Sequence, residues 1–117
     1  MSLSNNEAVA QYVDRWIKAR IDDSSYVLGK PLLLTEFGKS SRSPGYQVVA
    51  RETYLPNIYN SIYTCARTNG TCGGALFWQL MAQGMENLSD GYEIVLEQSP
   101  STVGVIAQQS NGLSSLI

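Results

Sequence analysis

A glutamate at the end of an apolar run is the residue of this chain best placed to do chemistry. The segment Pro31-Leu32-Leu33-Leu34-Thr35-Glu36-Phe37-Gly38 carries core-type positions that stop at Thr35-Glu36 and give way to a glycine and the polar loop 39–45. Glu36 therefore stands where a buried strand meets its loop. The chain has no histidine among its 117 residues. That removes Ser-His-Asp and Cys-His catalysis, the zinc-protease helix motif and every histidine-containing metal site. Two cysteines cannot build a four-cysteine zinc site. Ten acidic side chains remain as the natural candidates, and none of them clusters with the spacing of a cation-binding loop. A second candidate is Trp78, in the apolar run Ala75-Leu76-Phe77-Trp78-Gln79-Leu80. Neighbouring strands lie about 4.8 Å apart, so residues at matching strand ends can share one pocket; the alternative for Trp78 is packing in the core.

The elements that must position these residues can be read from periodicity. Ser4 and Glu7 have capping-box spacing, and Ala8, Val9, Tyr12, Val13, Trp16, Ile17 and Ile21 then recur at steps of three and four. This predicts an amphipathic helix with Tyr12 and Trp16 packed in the core. The run 31–34 shows no alternation, as expected of a strand in a parallel sheet covered on both faces. A second helix is expected from Tyr46 to about Arg67, with a kink or helix start near Pro56. The Gly-rich connection 68–74 leads to a second buried strand over 75–80. Residues 81–98 read as a long loop, with 92–96 a short extended piece. Ser99-Pro100 then reads as N-cap and first helical position of a last helix through about Gln109. Helix, strand, helix, strand, helix at this spacing means βα units of a parallel α/β sheet.

Length and composition bound the rest. At 117 residues, 44% apolar and 15% charged, the chain is one globular domain rather than a disordered one. A net charge of −2 with no basic stretch argues against a nucleic-acid partner. No apolar run reaches the 18 or more residues that span a bilayer, so no membrane partner is expected. The first residues lack a basic start and an apolar centre, unlike a signal peptide. Two strands are too few for a parallel sheet, which normally has five or more, or eight when closed. The sequence therefore looks like part of a larger domain.

Taken together, Thr35-Glu36-Phe37-Gly38 after a buried strand and Leu76-Phe77-Trp78-Gln79-Leu80 some 40 residues later resemble glycoside hydrolase family 5, and more narrowly its plant endo-β-1,4-mannanases. Asp90-Gly91-Tyr92-Glu93-Ile94-Val95-Leu96, followed by Ser99-Pro100-Ser101-Thr102 and Ile106, is similar to the C-terminal end of those enzymes. The likeness covers nearly all of this chain, residues 1–117 forming a partial glycoside hydrolase domain. It would cover only about the final third of the family's (β/α)8 TIM barrel, from helix 6 to helix 8, an incomplete barrel. The resemblance implies that Glu36 is the catalytic nucleophile of a retaining glycosidase and Trp78 an aromatic floor for the sugar. It implies no cofactor, a β-mannan polysaccharide or oligosaccharide as partner together with the missing N-terminal part of the barrel, and a secreted, cell-wall location.

The family's acid/base glutamate follows an asparagine at the end of strand 4, which this sequence lacks; Asn6-Glu7 imitates the dipeptide at a helix start. The family's histidines have no counterpart. The resemblance thus implies hydrolysis of internal β-1,4-mannosidic bonds by the intact enzyme and an inactive isolated chain. Another family 5 β-glycanase such as a cellulase, and a non-catalytic remnant with weak sugar binding, are the alternatives. Cys65 and Cys72 are close enough to bridge the loop between the second helix and second strand, which would suit an extracellular family; two free buried thiols are the other option. Asn69-Gly70-Thr71 and Asn87-Leu88-Ser89 fit the N-glycosylation pattern.

Overall fold

The computed structural model describes residues 5–68 and 70–117, and places five principal elements in chain order. They are α1 (Asn5–Asp22), β1 (Leu32–Phe37), α2 (Val48–Arg67), β2 (Cys72–Phe77) and α3 (Pro100–Ser114). The two strands pair in parallel, Leu34 beside Ala75 and Thr35 beside Leu76. This is the expected α/β order. Ser4, the expected partner of Glu7 in a capping box, lies outside the described residues.

α2 is the centre of the packing. It lies against β2 on one side and against α1 and α3 on others. Leu55, Ile58, Tyr59 and Ile62 recur at helical spacing and are all buried, Ile62 completely at 0% exposure. Facing them are Ile17 of α1, Leu34 and Phe37 of β1, and Val105 and Ile106 of α3. The Phe37 and Tyr59 rings meet edge to face at 5.6 Å, a geometry favoured by the ring quadrupoles. Pro56 sits inside α2 and neither starts nor ends it; the helix begins at Val48, two residues later than the periodicity predicts.

The sheet is covered on one face only, which corrects the expectation of two. Leu32, Leu34, Ala75 and Phe77 point toward the helices, whereas Leu33 and Leu76 are 53% and 56% exposed on the other face. Tyr12 and Trp16 are likewise corrected: they are 62% and 43% exposed, and only Ile17 of their stripe is buried. The apolar stripe of α1 is wider than its contact with α2, which takes Ile17 with Val13 and Ile21 beside it. Consistent with an open layer, the radius of gyration is 15.2 Å and the extents are 43 × 40 × 21 Å, against about 13 Å for a compact domain of this length.

Three further features are local. Residues Asp23–Leu28 continue α1 as a π-helix that ends on Gly29 at φ 59°. β2 starts at Cys72 and ends at Phe77, three residues earlier than expected at each end; Cys72 pairs with Leu32 and Gly74 with Leu33, and Gly73 is left unpaired between them. α3 runs to Ser114 and carries Pro100 in its first turn, but Ser99 makes no side-chain cap; its hydroxyl accepts from Arg51 Nη2 at 3.3 Å instead. Cys65 and Cys72 form a disulfide with a Cα–Cα distance of 5.7 Å, which decides between the two options left open by spacing. It ties the end of α2 to the start of β2.

Candidate active site

β1 delivers Glu36 through a break in its own pairing. Thr35 pairs with Leu76 and Phe37 with Phe77, so Glu36 is an extra residue in β1 with no partner. Its φ is 59°, the only positive value among described non-glycine residues. A bulge of this kind re-aims a side chain, and a non-glycine residue held in the left-handed region is a common mark of a functional site. The result is that Phe37 returns to the core while Glu36 stays exposed. Neither ion pair among the described residues, Lys18–Asp14 or Arg20–Asp23, involves Glu36.

β2 delivers Trp78 one residue beyond its end. The backbone N–H of Trp78 donates to the carbonyl of Phe37 at 2.8 Å, fixing it level with the end of β1. The peptide between Trp78 and Gln79 is cis. The indole is 43% exposed, so it is not a core residue. Glu36 and Trp78 line one cleft of about 520 Å³, together with Tyr12, Trp16, Tyr54, Asp90 and Tyr92. The structure thus brings together both side chains singled out in the sequence. A carboxylate beside several aromatic faces suits a polar ring with apolar C–H faces, such as a sugar.

Asp90 and Tyr92 had no role assigned from the sequence. Asp90 Oδ2 accepts from Trp78 Nε1 at 2.8 Å and from Gln79 Nε2 at 2.9 Å, while Oδ1 accepts from the backbone N–H of Tyr92 at 2.8 Å. These donors, the indole first, hold the Asp90 carboxyl below its ordinary value. Asp90 is therefore kept ionised and is unsuited to donate a proton as a general acid. A retaining glycosidase needs a second carboxyl group about 5–5.5 Å from the nucleophile, and no other carboxyl residue lines this cleft. Asn6 and Glu7 lie in the first turn of α1, not at a strand end. In the sequence Asp90 stood out only as the first residue of the stretch similar to the C-terminal end of the family, since its partners are fixed by tertiary contact.

Among the described residues no group of three His, Cys, Asp or Glu side chains could hold a metal ion, and no helix is long and apolar enough to cross a membrane. Asn87 of the glycosylation patterns is exposed on a 3₁₀ turn at Glu86–Leu88; Asn69 lies outside the described residues.

No protein-family model matches the chain. Among curated proteins it is 51% identical over 110 residues to mannan endo-1,4-beta-mannosidase 4 of Solanum lycopersicum, a match spanning 94% of this chain and 27% of that protein. It is 46% identical over 116 residues to mannan endo-1,4-beta-mannosidase 5 of the same species, covering 99% of this chain and 28% of the relative. Mannan endo-1,4-beta-mannosidase 7 of Arabidopsis thaliana is 43% identical over 111 residues, covering 95% and 26%. The chain spans little more than a quarter of the length of these relatives. Its cleft at the ends of two parallel strands and its similarity from end to end make this chain a homologue of the plant mannan endo-1,4-β-mannosidases, corresponding to a C-terminal portion of them.

Proposed function

We propose that this chain is the last part, about helix 6 to helix 8, of a (β/α)8 barrel that hydrolyses internal β-1,4-mannosidic bonds in mannan, glucomannan or galactomannan with retention. The observation that carries this is the shared cleft: Glu36 and Trp78 meet at the C-terminal ends of neighbouring parallel strands, where barrel enzymes assemble their active sites. Further support comes from the uncovered sheet face, whose Leu33 and Leu76 suit a barrel interior. The names of the relatives favour mannan over other β-glycans.

In the intact enzyme the Glu36 carboxylate attacks the anomeric carbon from the face opposite the leaving oxygen. The C–O bond breaks, a glycosyl ester forms on Glu36, and an acid supplied from outside this chain protonates the departing oxygen. The same group, now a base, takes a proton from water as water displaces Glu36. Trp78 supports the sugar face during both steps. The Cys65–Cys72 disulfide supports a secreted location, since such bonds persist in oxidising compartments. An acid/base group contributes about 10²–10⁴-fold, so the chain alone is inactive or nearly so.

Fragment complementation tests this. The chain is mixed or co-expressed with the complementary N-terminal part of the tomato relative and assayed on mannan and carboxymethyl-cellulose. Expected is mannan hydrolysis by the mixture, none by either part, and none with Glu36→Gln. A 2-deoxy-2-fluoro-mannosyl fluoride should then lose fluoride and label Glu36 by mass spectrometry. Labelling elsewhere refutes the assigned nucleophile, and robust turnover by the chain alone refutes the need for a partner.

A further inference from the structure

Trp78 presents a problem of restraint. Its indole is 43% exposed and stands just past the end of β2, with no strand pairing to hold its side chain. A ring with that much freedom must be ordered each time a ligand stacks on it, and that ordering opposes binding. The indole N–H also needs an acceptor of fixed direction if the ring is to keep one orientation.

We propose that Asp90 is the positioning residue that solves both: its carboxylate anchors the Trp78 indole by Nε1–H, so that the ring is preset as one wall of the cleft that Glu36 enters. The inference deepens the proposed sugar-stacking role of Trp78 and rests on it. Three observations carry it. Asp90 is itself fixed, because Oδ1 takes the backbone N–H of Tyr92 at 2.8 Å. Its other oxygen takes the indole at 2.8 Å and the Gln79 amide at 2.9 Å, so one atom locks two consecutive side chains after β2. The loop bearing Asp90 is tied down in turn. The Ser41 N–H donates to the Gly91 carbonyl at 2.7 Å, Arg42 Nη2 to the Ser89 carbonyl at 2.6 Å, and the Gly91 N–H to Glu93 at 2.7 Å. The loop after β1 thereby fixes the loop after β2, and Asp90 passes that fixity to the indole. The ionised acceptor strengthens each bond, and the lowered pKa of Asp90 agrees with an acceptor that stays charged.

The chain has only two tryptophans, which makes the test direct. In the ¹⁵N-labelled 117-residue chain, Trp78→Phe assigns the two indole Nε1–H resonances, and Trp16 serves as internal control. Asp90→Ala should shift the Trp78 resonance and speed its exchange with solvent about tenfold, the order set by one lost hydrogen bond, while leaving Trp16 unmoved. Asp90→Asn keeps one acceptor oxygen; with that oxygen on the indole its NH2 faces the Tyr92 N–H, so part of the protection should return. Titration with mannohexaose should perturb the Trp78 indole in the parent chain and in Asp90→Asn, with about tenfold weaker binding in Asp90→Ala. Circular dichroism melting confirms that each variant folds, and a variant that melts out is replaced by Asp90→Ser. A Trp78 resonance unchanged in Asp90→Ala overturns the anchoring. Equal weakening in Asp90→Ala and Asp90→Asn reduces Asp90 to a structural residue and overturns the positioning role. A parent chain whose Trp78 ignores mannohexaose sinks the sugar-stacking reading instead, and the purpose given to Asp90 with it.

Discussion

The α-carbon of Gly38 lies so near the backbone of Trp78 that a β-carbon there would clash with the Trp78 carbonyl oxygen and sit 3.2 Å from Cδ1 of Tyr92. Gly38 follows Phe37, whose carbonyl accepts the Trp78 N–H, so the two strand ends converge at this point. The first of these contacts is with backbone and cannot be relieved by a rotamer change. Gly38→Ala should therefore push the Trp78 segment away and destabilise the fold by about 1–3 kcal/mol, the usual range for overpacking. Urea unfolding followed by tryptophan emission measures both effects. An unchanged midpoint and emission spectrum would refute the close approach.

Much of this site is legible in the sequence, and the illegible part has a physical reason. Glu36 ends an apolar run, and strand ends in a parallel sheet are where side chains can meet, so its placement follows from one-dimensional pattern; Trp78 lies inside such a run, and only the early end of β2 at Phe77 puts it at a strand end. Trp16 and Tyr12 share a helical stripe with Ile17, but periodicity reports only which residues share a face. How much of that face is covered depends on neighbours, and α2 reaches no further than Ile17, Val13 and Ile21. Asp90 escaped because hydrogen bonds from Trp78, Gln79 and Tyr92 are tertiary facts with no spacing of their own. The early start of β2 escaped for another reason: Gly73 and Gly74 read as turn residues, and only the pairing of Cys72 and Gly74 with β1 makes this stretch strand.

Removing the Cys65–Cys72 bond should lower stability by an amount set by its short loop. The cysteines are 7 apart in sequence, and chain-entropy bookkeeping for a loop that small gives about 2.5 kcal/mol. Cys65→Ser/Cys72→Ser, compared with the oxidised parent in urea at constant pH, should show this loss with little change in far-UV circular dichroism. A loss below about 0.5 kcal/mol would mean the bond constrains nothing in the unfolded chain.

Acid should loosen the loop after β2. The Asp90 carboxyl is held below its ordinary value by the Trp78 indole, then by the Tyr92 N–H and the Gln79 amide. Glu93 is also lowered, first by the Ser89 hydroxyl, with the Arg42 guanidinium bonded to the same serine. A carboxyl whose folded pKa is depressed gives its stabilisation above the unfolded value, and loses it as pH falls through the folded one. The melting temperature should therefore be flat from neutrality to about pH 5 and fall below about pH 4, the ordinary carboxylate value. Asp90→Asn/Glu93→Gln should start lower and show a shallower fall. A double variant with the same acid slope as the parent would place the responsible carboxylates elsewhere.

The chemistry of Glu36 and the strain in its backbone can be separated. Its φ of 59° is a conformation that costs an L-residue about 1–2 kcal/mol and costs glycine none. Glycine returns part of that gain through its freer unfolded chain, about 0.5–1 kcal/mol. Glu36→Gly should therefore be more stable than Glu36→Ala by about 0.5–1 kcal/mol, with Glu36→Asn between them, because asparagine tolerates the left-handed region better than alanine. Both Gly and Ala variants should fail equally in the complementation assay with the N-terminal part of the relative, since neither retains a carboxylate. Stability and activity would then move in opposite directions on changing Glu36 to Gly, as the proposed role of Glu36 requires of a carboxylate that a bulge holds in an unfavourable backbone shape. Equal stability of the Gly and Ala variants in urea would show that β1 passes through position 36 without strain, and the aiming of Glu36 would then need another cause.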